Sequence, residues 1–232
     1  MILIRSFLFS IYFITLTIFM GIIAFAIRFI AKRHALVYAQ LWTRLSLGGL
    51  EKICKISTQI IGRENLPQDK SFLIASQHQS AFDTFIWMNL LDRPAYIMKR
   101  ELTRIPLVGP MLLLSGMIPL DRQGGVKALK NLIQDCQKAV NDFRQIIIFP
   151  EGTRTAVGEK VKLHAGTVAI ANQLNLKIVP VSLDSGYCWP RNSFFKYPGT
   201  IHIVIHPAIT DTSNRKETLA AIERSWSRLE SQ

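Results

Sequence analysis

A histidine and an aspartate stand five positions apart in the segment QHQSAFD, residues 77–83, with a serine between them. A carboxylate bonded to one imidazole nitrogen fixes the tautomer. It also supports the cation that forms when the other nitrogen takes a proton. If the chain turns into a helix near Ser80, His78 and Asp83 meet across about one turn. Four chemistries share these residue types: a serine hydrolase fragment, half of a metal site, a structural turn, or a base working without a protein nucleophile. Ser80 lacks the G-x-S-x-G setting of a nucleophile elbow and suits a cap on the following helix. A zinc site needs three or four ligands, and His164, His202 and His206 are far away in sequence. The pair alone leaves a loop and a functional dyad equally open.

FPEGTR, residues 149–154, is the second chemical segment. Gly152 permits a tight turn with exposed N–H donors, from which Glu151 and Arg154 project. Arg154 suits bidentate recognition of a phosphate, and Glu151 suits a substrate hydroxyl or a neighbouring cation. A solvated turn with a local ion pair uses the same residues. In GMIPLDRQGG, residues 116–125, Arg122 is a second phosphate candidate, or else half of an Asp121–Arg122 pair closing a loop. Lys99 and Arg100 follow another apolar run and face either solvent or headgroups.

These segments need elements to hold them. Apolar runs predict strands at 58–61, 72–76, 95–98, 116–120, 145–149, 178–183 and 200–205. Helical patterns fall at 84–91, 106–114, 126–142, 164–174 and 215–229, with Ser213 as the candidate cap of the last. In the helix from Val126, residues Leu129, Leu132, Ile133, Cys136 and Val140 share one side. In the last helix, Leu219, Ile222, Trp226 and Leu229 form a stripe. Strands alternating with helices predict an α/β fold with a mixed, mostly parallel sheet flanked by helices. QHQSAFD and FPEGTR both leave the carboxyl ends of apolar strands, the sheet edge where ligands bind.

The chain carries 28 Lys and Arg against 16 Asp and Glu, a net +12, yet 49% of it is apolar. Such a balance seeks phosphate in nucleic acid, on a membrane surface or in a small acidic substrate. No nucleic-acid motif or interleaving of basic and aromatic residues is present, so no nucleic-acid partner is expected. Phe7 to Ile27 has no formal charge and is long enough for a membrane-spanning helix of ~20 residues. Arg28, Lys32 and Arg33 follow it while Arg5 alone precedes it, which predicts a cytoplasmic catalytic domain at the inner membrane. Residues 34–50 predict a basic amphipathic helix with Trp42, suited to an anionic headgroup layer. Spanning and lying in one leaflet both fit. The expected division is a membrane-attachment segment of helices at 1–56 and a catalytic domain at 57–232. Cys54, Cys136 and Cys188 form no paired motif and predict buried thiols.

Taken together, the chain resembles the glycerophospholipid acyltransferase family, in its 1-acyl-sn-glycerol-3-phosphate (lysophosphatidic acid) acyltransferase branch. His78 and Asp83 match an H-x-x-x-x-D block, and Gly116, Ile118 and Arg122 match G-x-I-x-x-x-R. FPEGTR is complete from Phe149 to Arg154, and Val179, Pro180 and Val181 match a V-P-V strand. The order of the four blocks agrees. Gln77 stands where many members have Asn, and LHAG (His164, Ala165, Gly166) departs from the common turn.

The resemblance implies that His78, oriented by Asp83, deprotonates the 2-hydroxyl of lysophosphatidic acid. That oxygen attacks the thioester of acyl-CoA or acyl carrier protein, giving phosphatidic acid and a free thiol. It further implies that Arg122, Glu151, Gly152, Thr153 and Arg154 bind substrate, with no metal or organic cofactor. Acylation of glycerol 3-phosphate, a lysophospholipid or a lyso-ornithine lipid is the alternative within enzymes. A basic lipid-binding protein without chemistry is the alternative outside them.

Overall fold

The computed structural model describes residues 1–122 and 124–230. Its centre is a seven-stranded sheet: β1 (Ile56–Ile61), β2 (Leu73–Ser76), β3 (Pro94–Lys99), β4 (Ile118–Leu120), β5 (Gln145–Ile148), β6 (Ile178–Leu183) and β7 (Gly199–Ile205). The spatial order is β1-β7-β6-β2-β5-β3-β4. β6, β2, β5, β3 and β4 run parallel; β7 is antiparallel to β6, and β1 is parallel to β7. The α/β class and the mixed, mostly parallel sheet are as the sequence predicts.

Every residue of β2, β5 and β6 is buried, as their unbroken apolar runs require of strands covered on both faces. Alternation along each strand builds two cores. Ile74 and Ile147 face one layer with Phe82, Trp87 and Leu50. Leu73, Ala75, Ile146 and Ile148 face the other, with Leu132, Cys136, Ile170, Ile222 and Trp226. The first layer lies under α1 (Ile2–Ile30), α2 (Ala35–Cys54) and α3 (Asp83–Leu90). α4 (Val108–Leu114) packs against α1 and α2. α5 (Gly125–Asn141), α6 (Gly166–Gln173) and α8 (Arg215–Glu230) cover the second layer. A single turn, α7 (Ser185–Cys188), follows β6 directly.

α8 differs from expectation at its start. Asn214, not Ser213, caps it: Asn214 Oδ1 accepts the N–H of Glu217 at 3.2 Å, while the Ser213 N–H goes to Asp211. The side chain of Leu229 lies outside the described residues. All three cysteines are buried and free.

Among the described residues, α1 is the one helix long and apolar enough to cross a membrane. Only Ser6, Phe9, Met20, Gly21 and Ala24 are buried along it, while Phe7, Ile11, Ile14, Ile18, Ile22 and Phe25 are exposed. α2 is stitched to it by Tyr12 to the Leu45 carbonyl, Tyr38 to the Met20 carbonyl and Trp42 Nε1 to Thr17 Oγ1. The start of α1 docks on the loop after α7. Ser6 Oγ accepts the Lys196 N–H at 2.9 Å, and Phe9 meets Trp189 edge-on at 5.7 Å.

Candidate active site

The parallel strands bring three polar segments to one sheet edge. QHQSAFD leaves β2, FPEGTR leaves the adjacent β5, and Asp121–Arg122 leaves β4. The first two are tied together, since the Thr155 N–H donates to the His78 carbonyl at 2.8 Å.

His78 Nδ1 lies 3.0 Å from Asp83 Oδ2. The same oxygen accepts the N–H groups of Gln79 (2.7 Å) and Ser80 (2.8 Å), so the turn into α3 fixes it. Ser80 Oγ in turn accepts the N–H of Phe82 at 3.2 Å; Phe82 is the N-cap of α3 and the helix has no side-chain cap bond, so Ser80 bonds within the turn and does not cap the helix as the sequence suggests. Ser80 is fully buried and serves this turn. The His78 ring stacks on Phe149 with centroids 4.0 Å apart, and Phe149 stacks on Tyr96 at 6.1 Å. With Nδ1 held and one face stacked, the imidazole has Nε2 left without a hydrogen-bond partner among the described residues.

His78 lines a cavity of about 870 Å³. Its polar lining comes from the strand ends and loops: Arg122, Gly152, Thr153, Arg154, His164 and Arg191. Its apolar lining comes from α1 to α4, with Met20, Ala24, Trp42, Met88 and Leu112 among the contributors. A cavity of this size and composition accommodates an apolar chain with a few fixed polar contacts.

Of the residues expected in the site, His78, Arg122, Gly152, Thr153 and Arg154 share this lining; Asp83 lies behind His78. Gly152 adopts a positive φ of +72°, and a Cβ there would sit 2.7 Å from His164 Nε2. Its carbonyl accepts a bond from Arg122 Nη1. Gly116, at φ +82°, leaves room for the Arg144 guanidinium, which a Cβ would meet at 2.2 Å. Arg144 uses that space to bond the carbonyls of Ser115 and Pro94.

Glu151 is placed differently from the expectation of a substrate-facing carboxyl. It is buried beneath the turn and does not line the cavity. Its Oε1 accepts the Thr155 hydroxyl at 3.1 Å, and Oε2 has no hydrogen-bond partner among the described residues. Burial pushes its carboxyl up to about 8; the Thr155 bond opposes the shift and the Asp83 charge adds to it. The folded chain therefore holds a proton that the unfolded chain releases above about 4.5, and stability falls as pH rises from there to about 8. Glu151→Gln removes that dependence. The unfolding free energy of the variant should gain on the wild type between pH 5 and pH 8, by at most about 1.4 kcal/mol per pH unit, with its thermal midpoint rising in step. A difference constant across this range would overturn the assignment.

Two features escaped sequence reasoning. Arg191, in the loop after α7, lines the cavity and donates from Nη1 to the Arg154 carbonyl at 2.7 Å; it also pairs with Glu159 at 3.6 Å. No motif surrounds it, and only the fold brings it to FPEGTR. The Gln77 amide oxygen accepts the N–H of Leu183 at 3.1 Å, which extends the β2–β6 contact past the end of β2. His202 and His206, two conceivable metal ligands, have other partners: Asp184 at 2.7 Å and Ser182 Oγ at 2.8 Å. The guanidinium of Arg154 has no ion-pair or hydrogen-bond partner among the described residues.

A family model described as Acyltransferase matches residues 57–184. A 1-acyl-sn-glycerol-3-phosphate acyltransferase of Pseudomonas aeruginosa is 35% identical over 170 residues, 73% of this chain and 66% of that protein. One from Borreliella burgdorferi is 29% identical over 170 residues, 71% of this chain and 68% of the relative. One from Chlamydomonas reinhardtii is 29% identical over 169 residues, 72% of this chain and 51% of the relative. The matched region thus spans between about half and two thirds of these relatives' lengths. The crystal structure of the 1-acyl-sn-glycerophosphate (LPA) acyltransferase PlsC from Thermotoga maritima superposes with a TM-score of 0.78 at 23% identity. The match covers 98% of this chain and 97% of that one, and it establishes a shared fold. Because the family match runs from β1 past the end of β6 and takes in all three polar segments of the sheet edge, the chain belongs to the acyltransferase family.

Proposed function

We propose that the protein is a membrane-attached 1-acyl-sn-glycerol-3-phosphate acyltransferase that forms phosphatidic acid in phospholipid biosynthesis. One observation carries the reading. A histidine whose Nδ1 is held by a buried aspartate lines the same cavity as Arg122, Arg154 and a long apolar surface, while the neighbouring serine is buried in a turn. The names of the relatives support the same reaction.

His78 Nε2 takes the proton of the acceptor's 2-hydroxyl as that oxygen bonds to the thioester carbon of the donor. Collapse of the tetrahedral adduct breaks the C–S bond, and the proton passes from His78 to the leaving thiolate. Acyl-CoA or acyl carrier protein supplies the thioester. Arg154 and Arg122 hold the acceptor phosphate, with Thr153 beside them and the Gly152 turn as their support. Glu151 acts from beneath, its carboxyl bonded to the Thr155 hydroxyl, while the Thr155 N–H holds the His78 carbonyl. Residues 1–56 attach the chain to the inner membrane through the exposed apolar side of α1 and through Lys32, Arg33 and Arg44 against anionic lipid. Residues 57–232 form the acyltransferase domain on the cytoplasmic side.

The test is an acyl-transfer assay of the full chain in lipid vesicles, with lysophosphatidic acid, glycerol 3-phosphate, a lysophospholipid and a phosphate-free lyso-ornithine lipid. Lysophosphatidic acid should exceed each of the others in kcat/KM by at least about 10-fold, the value of one charge-assisted contact. Equal use of lyso-ornithine lipid would overturn the acceptor assignment.

A further inference from the structure

The two oxygens of the Asp83 carboxylate are held unequally. Oδ2 has three donors, all from its own turn: His78 Nδ1, Gln79 N and Ser80 N. Oδ1 accepts the Ser185 hydroxyl at 2.6 Å, from a residue 102 positions away on α7. Asp83 and Ser185 are both completely buried, so no solvent can replace that donor. The length is that of a charge-assisted O–H···O⁻ bond.

The topology delivers Ser185 to this place. β2 and β6 run side by side, with the Gln77 N–H on the Val181 carbonyl, and β6 runs on to Leu183 past the end of β2. From the last residue of β6 onward the chain passes along QHQSAFD and grips it three times. Leu183 N donates to Gln77 Oε1 and Gly186 N to Gln79 Oε1, both at 3.1 Å. Ser185 alone reaches the carboxylate. Its backbone is itself fixed on either side. Asp184 accepts the His202 N–H and pairs with the His202 ring, both at 2.7 Å, while the Ser185 carbonyl accepts Trp189 N–H at 2.8 Å.

The carboxylate torsion of an aspartate is broad and roughly two-fold, so donors on one oxygen fix its plane poorly. We infer that Ser185 is a positioning residue for acyl transfer: its hydroxyl locks the plane of Asp83 so that Oδ2 stays aimed at His78 Nδ1. It touches neither substrate nor imidazole and acts through Asp83. A buried carboxylate left with an unsatisfied oxygen would turn toward whatever donor it could reach and loosen the imidazole. This inference rests on His78 being the base.

The experiment measures kcat and both KM values of Ser185→Ala and Ser185→Thr in vesicles, with His78→Ala as a parallel control and thermal midpoints for all three. Ser185→Ala should lower kcat about 10-fold, the effect of one lost hydrogen bond to a charged group. Both KM values should stay within about two-fold of wild type, because no substrate contact is lost. Ser185→Thr keeps the hydroxyl and should recover most of the rate. If Ser185→Ala does not accumulate as folded protein, Ser185→Cys, close in size and a weaker donor, should give an intermediate kcat at unchanged KM. A wild-type kcat for the alanine variant, or the cysteine variant in its place, overturns the inference. So does an equal loss in Ser185→Thr or a loss expressed in KM, each of which assigns the residue to packing. An active His78→Ala instead overturns the base itself, an outcome distinct from any result at Ser185.

Discussion

His78→Ala should lower kcat for acyl transfer by about 10²–10⁴-fold, the range contributed by a positioned general base. The geometry makes this the largest loss available from one side chain in the site. Nδ1 is committed to Asp83, and one ring face is stacked on Phe149, so Nε2 is the one nitrogen that can take the acceptor's proton. Neither the nearby serine nor the nearby glutamate can replace it. Ser80 is sealed in its turn, and Glu151 is buried under FPEGTR, outside the cavity lining. The substitution removes a stacked ring from a loop that the Thr155 contacts still hold, so the fold should survive. The check is a donor-saturated assay in vesicles beside a thermal midpoint. Near-wild-type turnover would remove His78 from the chemistry.

The chemical segments were legible in the sequence because each pairs unusual residue types with a preceding apolar run. The run FLIAS gives β2 and the run QIIIF gives β5, and two buried parallel strands cannot avoid presenting QHQSAFD and FPEGTR at one edge. Strand direction was less accessible. β7 carries the same alternation whether it runs with or against β6, so its antiparallel pairing is visible only in the structure. Glu151 was misread as facing substrate because polar residues in a glycine turn are usually solvated. Here Thr155 and the packing beneath the turn draw the carboxyl inward. The cap of α8 slipped by one residue, from Ser213 to Asn214, because both side chains are good acceptors in adjacent positions.

Ser185 and Arg191 were illegible for a stronger reason. Neither stands in a motif, and SGYC is too short and too mixed to declare a helix. Their roles arise from long-range contacts, 102 residues to Asp83 for one and 37 to Arg154 for the other. Periodicity reports which face of an element is buried; it carries no information on which distant loop completes a hydrogen-bond shell.

Arg154→Ala should raise the KM for lysophosphatidic acid about 10- to 100-fold and leave the donor KM within about two-fold, in keeping with loss of a hydrogen-bonded charge pair. Arg154 lines the cavity with its guanidinium uncommitted among the described residues, while its carbonyl is held by Arg191. The backbone thus stays in place when the side chain is cut back, and the loss falls on the ligand contact alone. Arg154→Lys keeps the charge but not the planar fork, so it should recover only part of the affinity. Arg122→Ala makes the contrast. Arg122 also holds the Gly152 carbonyl, so its loss should loosen the turn and lower kcat as well as raise the acceptor KM. Glycerol 3-phosphate, added as a competitor, reads the same site without the acyl chain. It should inhibit the wild type and lose that power in Arg154→Ala. Equal effects of Arg154→Ala on acceptor and donor would place the arginine on the thioester's carrier instead, and the phosphate clamp would then have to rest on Arg122.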